Sequence, residues 1–282
     1  MSISIDKLNK EIDFTGVIAS PVDERDYTVA MASVGVSEEI PDCWETWQPP
    51  VENQGNTGNC VAQTFANIME CIDHRDGLSH RDRSVGSIYG RSLASTPGMI
   101  PRQGCEAIVK HGVLYRDIWE YLGENPECRN RLLKVPSEIM TTAKKAKMYI
   151  RINTFEEMQR FMMKYNLPVY GSGKVSEFID ERLGEGRHAV TLFGWSSEDF
   201  VKKNKKKGRV QYQNSWGVNS GWTTKGQEWC NFDELEEVWG IVPYENKSDE
   251  NNKSDITTVI FELFKSLVEL FAGIIKGVLS KK

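Results

Sequence analysis

Cys60 closes the run Gln54-Gly55-Asn56-Thr57-Gly58-Asn59-Cys60, where a glycine-rich turn meets an apolar pattern of helical period: Val61, Phe65, Ile68, Met69 and Ile72. A thiol at a helix start faces unpaired N–H groups and the positive dipole end, which favour thiolate. The competing reading is a small buried hydrophobe. A thiolate nucleophile needs an imidazole partner, a group that holds the imidazole, and donors for an oxyanion. Of the four histidines, His74 and His80 lie in a charged, surface-like stretch and His111 sits at a predicted helix end. His188 differs, because it opens the apolar strand His188–Gly194 directly after Gly184-Glu185-Gly186-Arg187. In Gln213-Asn214-Ser215-Trp216-Gly217, the Asn214 side-chain oxygen could accept the imidazole N–H. Trp216 would shield that bond or serve as an ordinary core aromatic.

These residues need elements to carry them. From about 54 to 135 helical patterns dominate, and Ala107–Gly112 reads as a helix end stopped by glycine. A further helix starts near 154, with Asn153 or Thr154 as N-cap and Glu157 at capping-box spacing from Thr154. The segments 168–171, 188–194 and 209–213 then read as strands. A helical first part and a strand-rich second part indicate an α+β protein of two lobes.

The 282 residues suffice for one large domain or two lobes. A net charge of −5 gives no broad attraction to nucleic acid, and the basic run Lys202–Lys207 reads as a solvated hairpin loop. Six cysteines without paired spacing fit reduced thiols and a cytoplasmic location. The start of the chain lacks the pattern of a secretory signal. No histidine–cysteine spacing suits zinc, so no metal is expected. Residues 245–255 are wholly polar and read as a linker. Residues 256–282 carry an amphipathic helix: Glu262, Lys265, Glu269 and Lys276 share an arc of about 60° and leave a wide apolar face over 256–279. That face suits self-association or docking on a protein, contact with a membrane surface, or folding back on the rest of the chain. Spanning a bilayer is disfavoured, since each central charge costs about 2.5–3.5 kcal/mol.

Gln54-Gly-x-x-Gly-x-Cys60, His188-Ala189-Val190 and Asn214-Ser215-Trp216-Gly217 together resemble the papain family of cysteine peptidases, in matching order and spacing. The resemblance covers roughly residues 40–244 and implies a helical lobe (about 54–145) and an antiparallel, β-barrel-like lobe (about 146–244). It implies Cys60 as nucleophile, His188 as acid and base, Asn214 as the group orienting the ring, and Gln54 with the Cys60 N–H as oxyanion donors. The activity implied is hydrolysis of a peptide or protein substrate through a thioester, without cofactor. Alternatives are a silent scaffold of the same fold, or a cell-wall-peptide amidase or transpeptidase. The sequence departs from the family where Val61 replaces a usual tryptophan and Thr57 a cysteine that often forms a disulfide. The family's Cys-Asn-Gly-Gly segment is absent, so Gly98-Met99-Ile100-Pro101, ahead of a helix over 104–112, is the substitute. Gly98, Pro101, Arg187 and Trp216 are the substrate-contact candidates, with Arg187 either favouring acidic substrate groups or facing solvent. Residues 1–40, containing Asp23-Glu24-Arg25-Asp26-Tyr27, resemble a short upstream element of compact bacterial and viral members. They either cover part of the cleft or form an arm without a regulatory role.

Overall fold

The computed structural model describes residues 16–21, 23, 26, 39–94, 97–220 and 223–245. The chain divides into two compact units, Met1–Pro243 and Tyr244–Lys282. Of the second, only Tyr244 and Glu245 are described, so the expected helix over 256–282 and nearly all of the linker lie outside the described residues. Among the described residues no helix is long and apolar enough to cross a membrane.

In chain order the elements are β1 (Trp44–Glu45), α1 (Cys60–Arg75), α2 (Val85–Tyr89), α3 (Pro101–Lys110), α4 (Glu127–Leu132), α5 (Ser137–Met140), β2 (Met148–Arg151), α6 (Phe155–Tyr165), β3 (Val169–Lys174), α7 (Val175–Phe178), β4 (Arg187–Trp195), α8 (Glu198–Lys203), β5 (Val210–Gln213), β6 (Gln227–Cys230) and β7 (Glu237–Val242). The strands form one antiparallel sheet in the order β2-β7-β3-β4-β5-β6, with β1 paired to β4.

The sheet is buried on both faces, and the alternation of side chains divides two cores. Tyr170, Ala189, Trp239 and Ile241 join the α1 side with Val61, Phe65, Ile68 and Ile72. Their neighbours Val169, Val190, Leu192, Val238 and Val242 join Met158, Phe161 and Met162 of α6 on the other side. Sequence periodicity marks one apolar face on α1, but the helix is buried all round as far as Asp73. It packs against both the sheet and other helices, and its carboxylates Glu70 and Asp73 take internal partners. Asp73 receives Arg83 through two bonds of 2.7 and 2.8 Å, and Arg83 is 1% exposed.

Other boundaries move for identifiable reasons. The helix expected over 104–112 starts at Pro101, whose fixed φ and missing N–H suit the first turn. Thr154 caps α6 by accepting Glu157 N–H at 3.1 Å, while the Glu157 carboxylate returns to Asn153 N–H at 2.7 Å. The basic run lies in the connection between the antiparallel strands β4 and β5, as expected, and the connection contains a helix: Ser197 caps α8, and Lys202 and Lys203 form its last turn, where cations suit the dipole.

Candidate active site

Cys60 is the first residue of α1. Its N-cap Asn59 makes no side-chain capping bond, and the first turn of the helix carries no acidic residue of its own. Gly55, at φ +61°, supplies the turn ahead of it. The sulfur is fully buried, and part of its cover comes from far upstream. A Cβ built on Gly16 would lie 2.6 Å from Cys60 Sγ and 3.1 Å from the Gly58 carbonyl oxygen, so only glycine fits there.

His188 stands near the start of β4, and α1 packs directly on β4. The ring is fully buried, and its Nε2 lies 2.8 Å from Asn214 Oδ1. That same oxygen accepts the Ser215 backbone N–H at 2.7 Å. A backbone N–H can only donate, so the asparagine atom is oxygen and His188 Nε2 must carry a hydrogen. In the neutral ring the lone pair therefore sits on Nδ1, which is buried and has no hydrogen-bond partner among the described residues. The arrangement holds a proton acceptor in one tautomer. Trp216, 5% exposed, covers the ring with centroids 4.4 Å apart, which settles its place beside His188.

Backbone pairing brings Gln54 to the same place. Gln54 N–H donates to Ser215 O at 2.8 Å, and Gly217 N–H to Glu52 O at 2.9 Å. The Gln54 side chain is oriented at both ends: Oε1 accepts the Ser215 hydroxyl at 2.6 Å and Nε2 donates to Thr57 O at 2.9 Å. An amide nitrogen has two hydrogens, so one remains for a ligand.

Burial pushes the His188 imidazole down to about 4, opposed by the Asn214 bond. The ring is neutral at pH 7 unless an anion faces it. Burial pushes the Cys71, Cys105 and Cys230 thiols up, and Cys128 up to about 12, as for inert core thiols. None of the six cysteines is in a disulfide, and Cys43 is exposed. His111 caps the C-terminus of α3, as expected. His74 stacks on Trp47, at 4.2 Å between centroids. Among the described residues Glu70, His80 and Asp82 bring ligand-type atoms within 4.8 Å of one another. His80 Nε2 lies between the two carboxylates, 3.3 Å from Glu70 Oε2 and 3.6 Å from Asp82 Oδ1, so the ring nitrogen occupies the centre of the cluster.

The substrate-contact candidates separate. Gly98, at φ +118°, precedes Met99, whose backbone pairs on both sides with the upstream segment: Met99 N–H donates to Gly16 O at 2.9 Å and Ile18 N–H to Met99 O at 3.1 Å. Pro101 is buried as the first residue of α3. Arg187 is occupied, since Glu236 receives its Nε at 2.7 Å and Nη2 at 3.2 Å, which balances the charge offered to acidic substrate groups. The upstream segment is tied again where Ser20 N–H donates to Glu237 Oε1 at 2.7 Å and Arg102 Nε to Asp26 Oδ1 at 2.9 Å. Gly16, Glu237, Tyr89 and Glu124 surround this region without any motif in the sequence to mark them. Gly16 and Asp26 both lie within residues 1–40, for which a cover on the cleft was one of the two expectations.

No protein-family model matches the sequence, and no curated protein matches it. Solved structures do. Xylellain, a cysteine protease from Xylella fastidiosa, is 20% identical, with 83% of this chain and 97% of that one covered at a TM-score of 0.65. The ragweed pollen cysteine protease Amb a 11 in its proform is 16% identical over 76% of this chain and 70% of that one, at 0.57. A Carica candamarcensis cysteine protease in complex with E-64 is 18% identical over 73% of this chain and all of that one, at 0.53. The mixed helical and antiparallel-sheet architecture built around Cys60 and His188 is the papain-like fold.

Proposed function

We propose that the protein is a thiol endopeptidase in which Cys60 attacks a peptide carbonyl and His188 moves the protons. The observation that carries this is the fixed tautomer of His188, with Nε2–H spent on Asn214 and a buried Nδ1 lone pair left to take the thiol proton. The thiolate adds to the carbonyl carbon, and the oxyanion is received by the Cys60 backbone N–H and the remaining Gln54 Nε2 hydrogen. Collapse expels the amine, which takes its proton from His188. Water then opens the thioester, giving its proton to the same ring. The similarity in fold to cysteine proteases, one of them bound to E-64, supports this reading.

The test is labelling with an epoxide thiol probe alongside cleavage of a peptide library. The wild type is expected to label at Cys60 and cleave, and Cys60→Ala to do neither. Failure to label in both the full-length chain and a chain starting near Glu38, or a Cys60→Ala variant that still cleaves, overturns the assignment.

A further inference from the structure

Two side chains outside the Cys60–His188–Asn214 group connect the two edges between which a substrate would lie. Glu124 divides its carboxylate, with Oε1 accepting the Gly58 N–H at 2.7 Å and Oε2 accepting the Tyr89 hydroxyl at 2.6 Å. The Tyr89 oxygen in turn accepts the Gly98 N–H at 3.0 Å. The direction is forced, because Gly98 can only donate and a carboxylate can only accept, so the phenol hydrogen must point to Glu124. Burial and the Glu124 hydrogen bond push the Tyr89 phenol far above its ordinary value, which keeps that hydrogen in place.

The ends of this chain of bonds give it meaning. Gly58 lies two residues before Cys60, and Gly98 immediately precedes Met99, the backbone edge with which residues 16–18 pair, Gly16 standing against the sulfur. The distance from the sulfur to that edge decides whether a paired peptide presents its carbonyl to the thiol. No disulfide spans this gap, since no cysteine of the chain is in one. We propose that Glu124 and Tyr89 are positioning residues that set this spacing through hydrogen bonds alone. The inference rests on the peptidase reading for its consequence in rate, but not for its geometry.

The experiment uses the full chain and three variants. Amide exchange at Gly58 and Gly98 reads the bonds directly. Alkylation of Cys60 by iodoacetamide across pH, located by mass spectrometry, reads the nucleophile, and peptide turnover reads the consequence. Tyr89→Phe is expected to speed exchange at Gly98 and leave the alkylation profile unchanged. Glu124→Ala is expected to speed exchange at Gly58, displace the alkylation profile and lower kcat about tenfold or more, as misplacement of a reacting group does. Glu124→Gln keeps an acceptor for Gly58 and is expected to restore most of that loss. Variants that lower the melting temperature but leave exchange at both glycines and the alkylation profile unmoved overturn the proposal. A wild type that cleaves no peptide yet shows the expected exchange pattern would instead sink the peptidase reading and keep the relay.

Discussion

Asn214 shows how much a single atom can settle. Its Oδ1 takes two donors, and the second, Ser215 N–H, makes the first readable as Nε2–H of His188. Without that oxygen nothing selects between the two tautomers, and the wrong one presents an N–H to the thiol. Asn214→Ala is therefore expected to lower kcat by about 10²-fold with little change in KM, since a tautomer error acts on the chemical step. Steady-state kinetics on one peptide substrate checks it, and a change confined to KM would contradict it. Residues of this kind were legible in the sequence. Cys60, His188, Asn214 and Gln54 each sit in a short run whose spacing carries information. Glu124, Tyr89 and Gly16 were not legible, because each acts across tens of residues through one bond or one close approach. No local pattern requires a carboxylate at 124 or a missing side chain at 16.

At the level of elements, the segment around Gly16 is held to the rest of the fold at several points. It lies along Met99 in parallel pairing, is bound again through Ser20 and Asp26, and comes close enough to Cys60 to exclude even a methyl group. Of the two expectations for residues 1–40, a cover on the cleft predicts two outcomes. Gly16→Ala is expected to push the arm off the sulfur and speed iodoacetamide alkylation of Cys60 severalfold. A chain starting near Glu38 is expected to turn over peptide faster than the full-length protein. Equal rates in both comparisons would reduce the arm to a structural strap. Elsewhere the elements followed local rules where those rules suffice, as at the Thr154 cap and the strand beginning at His188. They departed where tertiary packing decides. The carboxylates Glu70 and Asp73 of α1 look like part of a solvent face in sequence, and they are buried with Arg83 and Lys144 as partners.

For the molecule as a whole, the buried histidine places a limit on acid stability. Its folded value of about 4 lies below the ordinary 6.5. Between these values the unfolded chain holds the extra proton, so stability is full above pH 6.5 and falls as pH drops toward 4. The contribution between pH 7 and 5 is about 2 kcal/mol. Glu70, pushed up to about 7 chiefly by burial, acts with the opposite sign, gaining stability as pH falls through that range. Urea unfolding of wild type and His188→Gln at both pH values separates the two. The variant is expected to lose about 2 kcal/mol less on going to pH 5, and equal losses would refute the assignment.

The approach of Gly16 to the sulfur also has a consequence for how the enzyme would be regulated. An obstructing segment on the same chain competes at an effective concentration fixed by its tether, not by the amount of protein present. Dilution leaves such a block in place, and an added peptide must outcompete a neighbour that never diffuses away. Progress curves that keep the same shape over a wide range of enzyme concentrations are the kinetic signature of that arrangement.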